Sequence, residues 1–158
     1  MIWSDRDIHT AIIEGDIGVY PEPDLLGPAL QPASLELRVA EDIYLPGGMF
    51  RLTHTLETVN LGRTVAAQLN GKSSWARKGL LVHSTGGWID PGFIGQIVLE
   101  LKNLQPHPLE IAKGTPLCQL VFHPLSSRCM RPYGHRDLQS HYQSQEGTRR
   151  SHLDNPDA

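Results

Sequence analysis

Two cysteines, Cys118 and Cys129, are all that this 158-residue chain contains. That is too few for a disulfide framework, and the spacing between them matches no common zinc motif. Both read as ordinary buried or half-buried thiols. The eight histidines, at 9, 54, 83, 107, 123, 135, 141 and 152, form no H-x-H or H-E-x-x-H pair, so no metal cage is indicated. No apolar run approaches the ~20 residues that cross a bilayer, and the opening Met1-Ile2-Trp3-Ser4-Asp5 lacks a basic region followed by an apolar stretch. No membrane partner is expected, and the expected location is the cytoplasm. Nor is there an excess of positive charge: 14 basic against 17 acidic residues leave a formal charge of −3. That balance gives no support for bulk nucleic-acid binding.

Glycine and proline are plentiful, 15 and 12. They cut the chain into short segments and favour strands and turns over a helical bundle. Ser4 to Asp7 predicts a helix start with a capping box, a face of Ile8 and Ile12 with Ile13 beside it, and a stop at Gly15. Gly18 to Pro32 reads as loop. From Leu35 the period becomes two: Leu35, Leu37 and Val39 alternate with Glu36 and Arg38. Strands are predicted at 50–55, 64–69, 80–82, 97–101, 109–111 and 117–122, with a short helix from Ser73 to Lys78. Many short strands at regular spacing imply an all-β sandwich or barrel. Residues 1–132 read as one β domain. Residues 133–158 hold few apolar side chains, which by composition describes a polar, frayed tail.

Three segments carry chemistry. Gly71-Lys72-Ser73-Ser74-Trp75-Ala76-Arg77 sets hydroxyls and cations around a helix start, where free N–H groups favour an anion. The same residues also suit a capped surface helix with its cations solvated. His83 to Gly95 holds four glycines and Pro91. It permits close backbone approach to a ligand, with Asp90 held extended before proline. A long turn with Asp90 satisfying its own amides is the other reading. In the last segment, strand alternation sets Glu100 opposite Ile97, Leu99 and Leu101, with Val98 and Lys102. It is either a carboxylate suited to general acid–base work in a partly apolar setting or a solvent-facing partner of Lys102.

Together these segments resemble the dCTP deaminase branch of the dUTPase-like superfamily, and most closely its dUMP-forming bifunctional group. The resemblance runs through Ser4-Asp5-Arg6-Asp7-Ile8, Gln31-Pro32-Ala33-Ser34-Leu35, Gly71-Lys72-Ser73-Ser74-x-x-Arg77-x-Gly79-Leu80 and His83-Ser84-Thr85. It continues through Ile89-Asp90-Pro91-Gly92-Phe93-x-Gly95, Val98-Leu99-Glu100, Gln119-Leu120, Pro132-Tyr133-Gly134 and Tyr142-x-x-Gln145-x-Gly147. Each motif alone is weak, but the ordered set is specific.

The resemblance implies a distorted β jelly-roll of the dUTPase-like β-clip type with a short N-terminal helix. It also implies a homotrimer with sites between subunits and a magnesium-bound nucleoside triphosphate, dCTP or dUTP, as substrate. Glu100 falls on the family's catalytic glutamate, with Ser73 and Arg77 beside the reacting centre and Lys72 to Arg77, Ser74 included, on the nucleotide-binding segment. Asp90 falls on the residue that reads the deoxyribose 3′-hydroxyl, and Val98 and Leu99 lie along the base. Gln119, Tyr133, Gln145 and, near the triphosphate, His141 fall on further contacts. The tail becomes a lid.

Magnesium is expected to be held through the substrate phosphates rather than by protein ligands. Zinc is not expected, because the H-x-E and P-C-x-x-C constellation of zinc deaminases is missing. One glutamate then shuttles the protons, with water pinned by Ser73 and the backbone near Gly86, and Arg77 keeping Glu100 ionised. His141 stands where a lysine is usual, Gly86 where alanine or threonine is, Glu36 where aspartate is common, and Trp88 where many single-function deaminases carry arginine. The expected reaction is dCTP deamination continuing to dUMP and diphosphate. The alternatives are a dUTP diphosphatase only, a single-function deaminase releasing dUTP, and a non-catalytic regulatory trimer.

Overall fold

Helix α1 (Asp5–Glu14) begins at the predicted cap. The Ser4 hydroxyl accepts the Asp7 N–H, and the Asp7 carboxylate accepts the Ser4 N–H at 2.9 Å. These bonds, and the Ser4 hydroxyl donating to the same carboxylate, hold the Asp7 carboxyl below the usual carboxylate range. Gly15 closes the helix in the left-handed conformation, φ 83°. Ile8 and Ala11 are buried, whereas Ile13 is 65% exposed. The computed structural model describes residues 1–154.

Eleven strands follow: β1 (Ile17–Tyr20), β2 (Leu30–Gln31), β3 (Ser34–Arg38), β4 (Ile43–Leu45), β5 (Phe50–Leu61), β6 (Val65–Gly71), β7 (Leu80–Leu81), β8 (Trp88–Ile89), β9 (Ile94–Asn103), β10 (Leu109–Ile111) and β11 (Pro116–Pro124). A single helical turn, α2 (Ser73–Ala76), lies between β6 and β7. The strands form a four-stranded sheet in the order β1-β5-β9-β7, a five-stranded sheet in the order β2-β3-β11-β6-β8, and the pair β10-β4. The all-β sandwich with a short N-terminal helix is thus as expected.

Alternation explains the core. Leu35 and Leu37 of β3, Leu99 and Leu101 of β9, and Leu120 and Phe122 of β11 are fully buried, each separated from the next by a more exposed residue. Each such side chain removed from water contributes roughly 1.5–3 kcal/mol. Cys118 lies in this core, where burial pushes its thiol far up and leaves it inert.

Two segments differ from expectation. The proline-rich stretch after Gly18 is not all loop: Ile17–Tyr20 pairs antiparallel with Leu61–Thr58, so the sheet edge overrides the local punctuation. The strand from Phe50 runs six residues past Thr55, to Leu61. Its register shifts between His54 and Thr58, and there Glu57 is buried with its carboxylate on Arg38 Nε (2.6 Å) and the Arg38 N–H (2.9 Å). A buried, paired glutamate disguises a strand in any hydropathy pattern.

The tail is ordered against the sandwich. Tyr133 packs on Phe93 with ring centroids 5.8 Å apart, and its N–H donates to Pro91 O (2.8 Å). Burial raises its phenol. Further on, the Ser144 N–H donates to Ile94 O (2.7 Å) and Gln145 forms a parallel bridge with Gly95. The compositional reading of a frayed end is therefore wrong over the described residues. Among them, no helix is long and apolar enough to cross a membrane.

Candidate active site

A cleft of about 540 Å³ opens between the outer edge of β9, the glycine-rich bend after β7 and the tail. Glu100 reaches it because Leu99 and Leu101 face the core and β9 alternates. One carboxylate oxygen, Oε2, accepts the Ser84 N–H at 2.7 Å. The bend holds that donor through close packing. Gly87 O accepts the Leu69 N–H (2.7 Å), and a Cβ on Gly87 would stand 2.9 Å from Leu69 O and 3.2 Å from the His83 ring. Only glycine fits there. Beside Gly86 the space is larger, since a Cβ would come no nearer than 3.5 Å to Glu100 Oε1.

The edge of β9 offers something that no side-chain motif encodes. Main-chain groups of successive residues point to opposite sides of a strand. Ile97 points toward β5, where its N–H meets Thr55 Oγ1 (2.9 Å). Gln96 and Glu100 point outward, to Gln145 O (3.0 Å) and Val82 O (3.0 Å). Val98 lies between them, beyond the end of β7 and clear of the tail. Among the described residues its outward N–H and C=O have no partner. A flat heterocycle with adjacent donor and acceptor atoms would satisfy both. Around this edge Ile89, Phe93, Ile97 and Tyr133 supply an apolar wall, and Trp88, packed 5.5 Å from the His123 ring, supplies another.

Of the predicted residues, Glu100, Asp90, Val98, Gly86, Tyr133 and Gln145 line this one cleft. Asp90 is exposed; its main-chain carbonyl closes the turn by accepting the Phe93 N–H (3.2 Å), and its carboxylate has no hydrogen-bond partner among the described residues. Gln145 is 7% exposed, and one N–H of its amide is engaged with Gln96 O (2.7 Å). Leu99 is not in the cleft: the same alternation that presents Glu100 buries its side chain completely. His141 does not line the cleft either; its ring stacks on His152, centroids 3.7 Å apart.

Lys72, Ser73, Ser74, Arg77 and Gln119 form a second group away from the cleft of their own chain. Here α2 is bound to the β11 side of the molecule. Trp75 Nε1 donates to Pro116 O (3.1 Å), Lys72 pairs with Glu36, and Gln119 Nε2 donates to Gly71 O (3.4 Å). Ser34 Oγ bonds Gln119 Oε1 at 2.8 Å. Lys72 caps the turn without a side-chain bond, and Ser73, Ser74 and Arg77 are exposed. Within one chain, Ser73 and Arg77 do not meet Glu100.

Sequence reasoning missed Arg149 and Arg150. Both line the cleft, and neither pairs with a carboxylate among the described residues. The dibasic pair one residue beyond Tyr142-x-x-Gln145-x-Gly147 was the available signal. Guanidinium forks suit phosphate oxygens. The cleft thus has an apolar flank with an open main-chain edge, a carboxylate beside it, and cations on the tail. Among the described residues, no three His, Cys, Asp or Glu side chains converge as a metal cage.

Comparison with known proteins bears on the family and the fold. A family model described as dCTP deaminase-like matches residues 39–125. The "dCTP deaminase, dUMP-forming" of Bifidobacterium animalis subsp. lactis is 37% identical over 93% of this chain and 91% of its own. That of Clavibacter michiganensis is 38% identical over 97% and 92%. Among solved structures, the 2′-deoxycytidine 5′-triphosphate deaminase of Agrobacterium tumefaciens superposes with a TM-score of 0.67 at 19% identity, covering 79% of this chain and 49% of that one. A dUTPase from phage phi11 of S. aureus, in which a structural Mg(II) ion is coordinated, gives 0.58 at 19% identity over 73% and 94%. The family match and the two relatives, spanning nearly the whole length, lead to one conclusion: the chain belongs to the dCTP deaminase-like family.

Proposed function

We propose that the protein deaminates dCTP hydrolytically and carries the product on to dUMP and diphosphate. The observation that carries this reading is a single carboxylate, Glu100, fixed by the Ser84 N–H (2.7 Å) beside the unpaired edge of Val98. The base lies on that edge and presents C4 to a water held between Glu100 and the backbone near Gly86. Water adds to C4 and its proton passes to Glu100. Glu100 gives that proton to the ring nitrogen, then takes the remaining proton from the new C4 hydroxyl and passes it to the amine, which leaves as ammonia as the C4 carbonyl forms. Asp90 takes the 3′-hydroxyl, Tyr133 and Gln145 close the far side, and Arg149 and Arg150 face the phosphates. A second water then attacks the α-phosphorus, the bond to the bridging oxygen breaks, and diphosphate leaves.

The active unit is a homotrimer. Ser73 and Arg77, with Lys72, Ser74 and Gln119, project from α2 and β11 away from their own cleft, which suits completing the cleft of a neighbouring subunit. Residues 1–132 form the sandwich domain. The tail from 133 is the lid over the site, as described to 154, while residues 155–158 of the expected lid lie outside the described residues. His141 contributes to the lid through its stack on His152 rather than through a phosphate contact.

Magnesium fits as an ion carried by the substrate. The cleft's oxygen donors include Asp90 and Asp154, without a cage, and a hard cation that keeps its waters and binds phosphate oxygens needs no more. When bound, it neutralises charge on the triphosphate.

Alternatives are less well supported. A dUTP diphosphatase leaves the fixed Glu100 without a task, and a regulatory trimer leaves a charged, open cleft without one. Incubation with magnesium-dCTP, resolving ammonia, dUTP and dUMP, decides. The expected outcome is ammonia with dUMP and diphosphate and little free dUTP. Stoichiometric dUTP overturns the second step, and no ammonia overturns the first.

A further inference from the structure

Gln96 commits all four of its hydrogen-bonding groups at the point where the tail meets β9. Its N–H donates to Gln145 O (3.0 Å), and its carbonyl accepts from Gln145 Nε2 (2.7 Å). Its side-chain Oε1 accepts the Gly147 N–H (2.7 Å), and its Nε2 donates to Leu56 O in the irregular part of β5 (3.3 Å). An amide wedged between an N–H and a carbonyl has one favourable orientation, so the Leu56 contact holds Oε1 toward Gly147.

The neighbouring backbone is arranged for the same meeting. Gly95, φ 151°, has no Cβ, and one there would stand 2.9 Å from Gln145 O. Ser144 adopts φ 56°, a left-handed conformation that a non-glycine residue keeps only where surrounding contacts over-determine it. Beyond Gly147 the chain turns over the cleft. Thr148 Oγ1 meets His54 Nδ1 (2.8 Å), and Arg149, Arg150 and Ser151 follow on the cleft wall. The Gly147–Gln96 bond is therefore the last tie to β9, among the described residues, before the two arginines. Gln96 itself does not line the cleft.

We infer that Gln96 is a positioning residue: its side-chain amide sets the direction in which the tail leaves β9 and thereby places Arg149 and Arg150 over the phosphate end of the nucleotide. It acts through the tail and touches no substrate. The inference rests on the nucleotide-site reading of the cleft given above.

The test uses the full chain as wild type, Gln96→Ala and Gln96→Glu. Glutamate keeps an acceptor for the Gly147 N–H but turns a second carboxylate oxygen, which cannot donate, toward Leu56 O. KM and kcat for dCTP are measured in fixed magnesium, with amide hydrogen exchange over residues 143–150 and over β6. Loss of bonds worth about 1 kcal/mol of net stabilisation, roughly a factor of five to ten, sets the expected scale. Gln96→Ala raises KM by about that factor and leaves kcat within about twofold. Its exchange quickens over 143–150 and stays as in wild type over β6. Gln96→Glu, with the Gly147 bond kept and the Leu56 bond lost, recovers part of both. An unchanged KM in Gln96→Ala overturns the inference, as does equal acceleration in β6. Should the wild type release no ammonia from dCTP, the deaminase reading fails by itself, and the exchange comparison still decides whether Gln96 seats the tail.

Discussion

Glu100 combines two properties that a surface glutamate lacks: a fixed backbone donor, Ser84 N–H at 2.7 Å, and a place on a cleft wall beside apolar side chains. Replacing it by glutamine keeps its shape and an oxygen that can still accept from Ser84, but removes the group able to take the water's proton. Glu100→Gln is expected to lower ammonia release by roughly 10²–10⁴-fold while dCTP still binds within a few-fold of wild-type affinity. Calorimetric titration with dCTP beside an ammonia assay separates the two. Wild-type turnover in this variant would sink the assignment of Glu100 as the proton shuttle.

At the scale of elements, α1 and the tail are held by opposite means. The helix carries its own signals, Ser4 and Asp7 at one end and Gly15 at the other. Because Asp7 is held below its ordinary pKa in the folded chain, its contribution is complete above the ordinary carboxylate range and is lost as pH falls through the lowered value. Ser4→Ala removes the hydroxyl that accepts the Asp7 N–H and donates to the Asp7 carboxylate, while the backbone N–H of residue 4 still reaches that carboxylate. That variant should unfold a few degrees lower than wild type at neutral pH, and the gap should narrow in acid below the carboxylate range. Thermal melts at the two pH values check this, and a gap that widens in acid would contradict it. The tail carries no such local signal. Its order comes from partners on β9 and on the turn before it, Gln96, Pro91 and Phe93 among them, which is why composition alone misreads it.

For the whole molecule, the separation of Ser73 and Arg77 from Glu100 within one chain carries the main consequence. If a site joins one subunit's Glu100 to a neighbour's Arg77, neither Glu100→Gln nor Arg77→Ala trimers have an intact site. Each mixed trimer regains one. Equal, random co-assembly of the two inactive variants should then restore about one quarter of wild-type ammonia release, whereas mixing without subunit exchange restores none. Absence of recovery in verified mixed trimers would show that the two groups act within one chain or not together.

Much of this was written in local pattern. Alternation at Leu35, Leu37 and Val39 and at Ile97, Leu99 and Leu101 determined two strands and the face that bears Glu100, because burial acts on every second residue of a strand. The cap residues determined α1, and the ordered motifs determined the family. Tertiary structure alone decided the rest. It extended β5 past Thr55 by burying Glu57 against Arg38, made Ile17–Tyr20 a sheet edge, and left Val98 unpaired because β7 ends early. It also placed Arg149 and Arg150 at the cleft and kept Ser73 and Arg77 out of it. Pairing partners, strand ends and the path of a polar tail depend on contacts between residues far apart in the chain, and no window of neighbouring residues contains them.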